Sequence, residues 1–286
     1  MDYLVKNNIQ PWNTSISSSY LRLHDVYHSA TTAIFKSIDY TLPATSMSSK
    51  QCHAINVQLH KTFLPKIGVD IHLPLVYRYA PSRYQGLNSL HSEEKQFIEK
   101  LKMFLYHMNT TSQLAQMIKI NLESLQLLLG TNHNIFQLSF EKYGILSVTS
   151  WISHLWEMSC KYKVYLHGQY EKTRPIREKD AALMDLIIDS NVFTNKEILQ
   201  INRCRLYLQV QNISEITNGF GTHIGYCAIN HIKDPDRISE YQWPTQPKPP
   251  KKDWDSWDRA LLQVWGSNEQ YLLHGQHILP PKHSTP

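Results

Sequence analysis

"TNKEILQINRCRLYLQV", residues 194–210, decides whether the second half of this chain is helical or mixed. Its apolar residues satisfy two periods at once. Cys204, Leu206, Leu208 and Val210 alternate as on a half-buried strand, whereas Ile198, Ile201, Cys204 and Leu208 share one face of a helix. Thr194 followed by Glu197 has the form of a capping box, in which each residue satisfies the other's free backbone N–H. That cap and the length of the run predict a helix.

Cap and period agree elsewhere too. Ser48 and Gln51 predict a helix that ends at "FLPKIG", where Pro65 and Gly68 stop it. Before it, Tyr20 to Ile38 carries Leu23, Val26, Tyr27, Ala30, Ile34 and Ile38 at helical spacing, and "YTLPATS" breaks the pattern. Residues 69–87, with Pro74, Pro81 and Gly86, predict an irregular or short-strand connector. Ser92 opens a helix with Phe97, Leu101, Phe104, Leu105 and Met108 on one face. Thr110 and Gln113 predict a third capping box, for a helix closed by Gly130. Further on, a helix is expected around Trp151–Met158, then a short strand at "KVYLHG" and a short helix at "DAALMDLIIDS" that starts with Asp180. "TNGFGTHIG" is turn-rich.

Bulk properties limit the function classes. With 286 residues, 42% hydrophobic and 19% charged, the chain is long enough for one large domain or two ordinary ones, and general disorder is excluded. The net charge of +5 is compatible with a phosphate-binding face without demanding one. Four widely separated cysteines make neither a disulfide framework nor a paired zinc knuckle. "MDYLVKNNIQPW" lacks a secretory apolar stretch, and no run of about 18 apolar residues exists. An intracellular setting, cytoplasm or nucleus, and no membrane contact are expected.

The motifs of common chemistries are absent. Neither GxSxG nor a phosphate-cradling glycine loop occurs. His24 and His28 are four apart on a helix but lack the HExxH glutamate, and they read as ordinary helical histidines. His223, Cys227 and His231, with His274 and His277, lie around glycines that make their spacing uninformative. Asp234 and Asp236 flank a proline, and Asp253, Asp255 and Asp258 read as the acidic start of a helix. No catalytic residue, metal or cofactor is therefore expected.

Basic residues mixed with aromatics are more suggestive. "HGQYEKTRPIREK" contributes Lys172, Arg174 and Arg177, and "PKPPKKDWDSWDR" contributes Lys248, Lys251 and Lys252. With Arg203 and Arg205 these are the candidate nucleic-acid contacts, since cations hold phosphates while rings stack on bases. Prolines 244, 247, 249 and 250 predict an extended strap, after which Asp253 is expected to cap a short helix. On that helix Trp254, Trp257, Leu261, Val264 and Trp265 make one apolar stripe. Trp254, Trp257, Leu261 and Trp265 are expected to form a docking face. The alternative reading makes the proline segment the ligand of a partner domain, as in an adaptor protein.

The order of segments resembles the region downstream of the catalytic palm in reverse-transcriptase-like proteins of non-LTR-type retrotransposons from algal and microbial eukaryote genomes. The stretches that carry it include "PLVYRYAPSRYQGL", "EILQINRCRLYLQVQNISEITNGFGTHI" and "YQWPTQPKPPKKDWDSWDRAL", and it runs from about residue 20 to 262. Two departures stand out. The glycine turn reads "YQGLNSL" where the family usually has a Gly-Gly-Leu step, and no Asp-Asp pair of a polymerase active site occurs. The resemblance implies a mainly α protein. It would have a helical, thumb-like region (1–145), a smaller mixed α/β extension (146–240) and a strap with a Trp helix and tail (241–286). It also implies a fragment, degenerate copy or single exon of an RNA-directed DNA polymerase, not an enzyme by itself. Its partners would be RNA or RNA–DNA duplex and the missing palm.

Overall fold

A computed structural model describes residues 2–167, 180–218, 223–236 and 241–266, the side chains of 2 and 264–266 excepted. The chain divides into two compact units, residues 1–112 and 113–286. Among the described residues both are helical and neither contains a strand; two isolated bridges, Ala182 with Asn212 and Thr217 with Ile224, are the only β pairings.

In the first unit the Ser48–Gln51 capping box forms as read, and the Ser49–Lys66 helix follows. It closes in a Schellman turn. Gly68, at φ +73°, donates its N–H to Pro65 O (3.0 Å), and Val69 donates to Leu64 O (2.9 Å). The Ser92–Met108 helix packs on it, and so does the helical run of residues 23–41. That run starts at Leu23 rather than Tyr20 and contains a widened turn, Ala30–Ile34, where Phe35 N–H reaches back to Ala30 O. Thr31 and Thr32 hydroxyls bond to Tyr27 O and His28 O in the turn before it. Ile9, Val26, Ile38, Leu42, Ile55, Leu59 and Phe63 form the centre of the core.

Besides short 3-10 turns at Leu42–Ala44 and Ser82–Tyr84, two helical segments here have no counterpart in the sequence reading. Residues 2–18 are helical, with a widened turn at Val5–Ile9 just ahead of Pro11, whose missing N–H and ring obstruct a regular ladder. Leu75–Tyr79 is a short helix inside the expected connector, entered through Pro74. Thr110 also plays a different part from the one its spacing suggested. Its N–H and hydroxyl both bond to His107 O, so it finishes the Ser92–Met108 helix, and the next begins at Gln113.

In the second unit Gln113–Leu129, Trp151–Tyr162 and Asn195–Leu208 pack together, and Lys251–Gly266 lies along Asn195–Leu208. The ambiguous stretch is a helix, and its Thr194–Glu197 box is made in both directions. Gly130 ends Gln113–Leu129 at φ +71°. In the expected mixed α/β extension the described residues form helices and no strand. Of "KVYLHG", Lys163 takes φ 55°, residues 164–167 have no regular structure, Leu166 O accepts from Asn134 Nδ2 (3.1 Å), and Gly168 lies outside the described residues. Leu183–Asp189 is a short helix, with Asp180 accepting from Ala181 N and Ser214 N.

Candidate functional site

The basic positions lie in different environments. Arg205 is the clear correction: it is 0% exposed and cannot meet a phosphate. Helix geometry explains why, since residues two apart lie about 200° apart around the axis. Arg203 and Arg205 therefore cannot share a face. Arg205 falls four residues after Ile201, on the buried stripe.

Arg205 closes the end of a neighbouring helix. Its Nη2 donates to Leu127 O and to Leu128 O (3.2 Å), Nη1 to Val210 O (3.2 Å) and Nε to Asn202 Oδ1 (2.8 Å). Leu127 and Leu128 sit in the last turn of Gln113–Leu129, where carbonyls lack intrahelical partners and the dipole end is negative. Burial pulls the guanidinium down to about 9, against the opposing pull of Glu215 and Asp185.

Arg203 is half exposed, but its Nε donates to Asp253 Oδ2 at 2.8 Å, and Asp253 is buried. That bond pushes the guanidinium up from its ordinary value. Asp253 does not cap the Trp helix as expected. The helix starts at Lys251, and Asp253, in its first turn, turns inward to Arg203. Lys248, Lys251 and Lys252 are exposed, with no ion pair to a described residue. Lys172, Arg174 and Arg177 lie outside the described residues.

The tryptophan stripe turns toward its own unit. Trp257 is fully buried, its Nε1 donating to Ala228 O (3.1 Å), and Trp254 and Leu261 are buried beside it. The side chain of Trp265 lies outside the described residues. Trp254 Nε1 donates to Pro249 O (3.1 Å), its ring stacks on His231 at 4.2 Å, and Tyr207 stands edge-on at 5.9 Å. Ser256 Oγ donates to Gln200 Oε1 (2.9 Å), and Arg259 pairs with Glu197. Residues 242–250 have no regular structure; Pro249 is buried, while Pro247 and Pro250 are exposed.

His274 and His277 lie outside the described residues, and the contacts of the other acidic and histidine positions singled out in the sequence are separate and local. Asp236 N donates to Asp234 Oδ1 in a tight turn, and Asp258 accepts from His231 at 2.7 Å. The His24 and His28 rings stack 6.4 Å apart. Among the described residues no group of three or more His, Cys, Asp or Glu could hold a metal ion. No described helix is long and apolar enough to cross a membrane.

What these contacts define is a helical protein with a lysine-bearing helix entrance fixed by a buried tryptophan stripe. No known protein family, no curated protein and no solved structure matches the chain.

Proposed function

We propose that this chain is a non-catalytic helical module that binds RNA or RNA–DNA duplex. That is the part a retroelement thumb and tail would play beside a palm carried elsewhere. The observation that supports it is the exposed trio Lys248, Lys251 and Lys252 at the start of the Lys251–Gly266 helix. Two of them occupy the first turn, where a cation opposes the helix dipole by about 0.3–1 kcal/mol. Helix stability gives no reason to keep them there; contact with a phosphate backbone does. In this reading residues 243–250 are a strap that holds the lysines at the surface, and Lys172, Arg174 and Arg177 extend the footprint.

Titration of the full chain with an RNA–DNA duplex across a salt series tests this. Three phosphate contacts give a slope of log K against log salt near −2.7, at roughly 0.9 per contact. Neutralising the three lysines as K248A/K251A/K252A should reduce the slope by about that 2.7 and leave the share carried by Lys172, Arg174 and Arg177. Absence of binding at micromolar protein in low salt overturns the proposal, as does an unchanged slope in the triple variant.

A further inference from the structure

The first unit has a partly open cavity of about 130 Å3 where two long helices begin. Ser49 and His53 come from the start of Ser49–Lys66; His91 and Glu93 come from the cap and first turn of Ser92–Met108. Arg78 and Tyr79, from the end of Leu75–Tyr79, close another side, and Asn56 and His60 complete the polar lining.

The walls are held in place. Leu87 N donates to Tyr77 O (2.9 Å) and Ser89 N to Arg78 O (3.1 Å), which folds the chain back over the short helix. Ser89 Oγ then meets His60 Nε2 at 2.7 Å. The Tyr79 ring stands edge-on to His91, with centroids 4.6 Å apart, and tilted to His60 at 5.6 Å. Asn56 Oδ1 accepts from Ser92 N (3.3 Å) and Ser92 Oγ (2.6 Å), tying the two helix starts together.

The lining carries one permanent cation, Arg78, and one carboxylate, Glu93. Arg78 is anchored through Nη2 to two neutral acceptors, Ile71 O (2.8 Å) and Leu73 O (3.0 Å), while its Nε is buried with no hydrogen-bond partner. A buried donor of a charged group left unmatched calls for an acceptor. Glu93, the carboxylate among the lining residues, is engaged by Ser49 Oγ at 2.5 Å. Both helix starts add positive dipole ends. Burial first, then the charges of Arg78 and His91, pull His60 down to about 4.

We propose that this cavity binds a small oxyanion of the phosphate type, with Arg78 as the permanent cation and His53 and His91 as further N–H donors. Its volume equals about four waters' share of liquid, at roughly 30 Å3 each. That suits a five-heavy-atom ion and is well below the roughly 300 Å3 of a drug-sized site. The guanidinium argues against a metal cation. A second cavity of about 270 Å3 lies beside it and shares Tyr79 and His91.

Calorimetric titration of the full chain with inorganic phosphate and with phenyl phosphate, in chloride buffer at pH 7, tests the site. Saturable binding in the millimolar range or tighter is expected, weakened about tenfold or more in Arg78→Gln. Because that change also frees Ile71 O and Leu73 O, Val57→Phe is the second variant. It fills the cavity from a lining position without removing a polar group, and circular dichroism checks its fold. Tighter binding of phenyl phosphate assigns the site to an ester, and equal or weaker binding assigns it to the free ion; either supports the proposal. K248A/K251A/K252A should bind phosphate like the wild type, which separates this site from the nucleic-acid reading. No saturable heat with either ligand overturns the proposal, and so does a folded Val57→Phe chain that binds as well as the wild type.

Discussion

At Gly130 the backbone takes φ +71°, and an added Cβ would stand 2.6 Å from Met184 Cγ and 2.8 Å from the Arg205 guanidinium. At Gly68 φ is +73°, but the nearest atoms are Leu23 methyls at 3.8 Å, an ordinary contact. Gly68→Ala should therefore cost the left-handed backbone alone, about 1–2 kcal/mol. Gly130→Ala should cost about 3 kcal/mol or more, since it also dislodges the arginine that closes the Gln113–Leu129 helix. Urea midpoints of the two variants compare them directly, and equal shifts would contradict the role given to Arg205. His60 supplies a pH prediction at the same scale. Its imidazole titrates near 4 when folded and near 6.5 in an unfolded chain, so between those values the unfolded state binds the extra proton. Its contribution is complete above pH 6.5, falls on acidification toward pH 4 and is flat below. The loss is at most roughly 3 kcal/mol. His60→Gln should flatten this part of the profile of urea stability against pH; an unchanged slope would mean that other groups produce it.

Among the elements, the capped helices carry their own instructions. Ser48→Ala and Thr194→Ala each remove the acceptor of a two-way capping box and should cost about 1 kcal/mol in thermal unfolding. A negligible change at Thr194 would place the strength of that end in the Glu197–Arg259 pair instead. These helices were legible because cap, period and stop signal lie within one short stretch. What was not legible depends on distant partners or on altered ladders. The run at residues 2–18 hides behind Pro11, and its turn widens to pass the ring. Leu75–Tyr79 is a single turn or so whose side chains are half-buried or exposed, so it has no apolar stripe to read. On Ser92–Met108 the buried face includes Gln96 and a fully buried Lys100, while the expected Leu105 is exposed. Lys100 Nζ donates to Ser46 Oγ at 2.7 Å, a partner far away in sequence that periodicity cannot reveal. Arg205 is different, because its signal was available. Once residues 194–210 are helical, the two-residue spacing separates it from Arg203 and puts it on the apolar stripe. The cavity at Arg78 and His91 was not legible at all, since three separated segments build it.

For the whole molecule, the decisive property is that each unit has its own buried core. In the second, Trp257 is fully enclosed between the helix that bears it and Ala228, and it anchors the helix that carries Lys251 and Lys252. Replacing it by alanine removes one of the largest buried side chains and should cost about 3–5 kcal/mol, through lost apolar area and the cavity left behind. The cost should stay within residues 113–286, because interactions that share no partners contribute additively. Hydrogen exchange read by mass spectrometry resolves this. Trp257→Ala should speed exchange across Asn195–Leu208 and Lys251–Gly266 while the Ser49–Lys66 amides keep wild-type protection. Faster exchange in Ser49–Lys66 as well would mean that the two units unfold as one cooperative block. The oxyanion cavity and the lysine-bearing helix would then be linked through stability even though they share no residue.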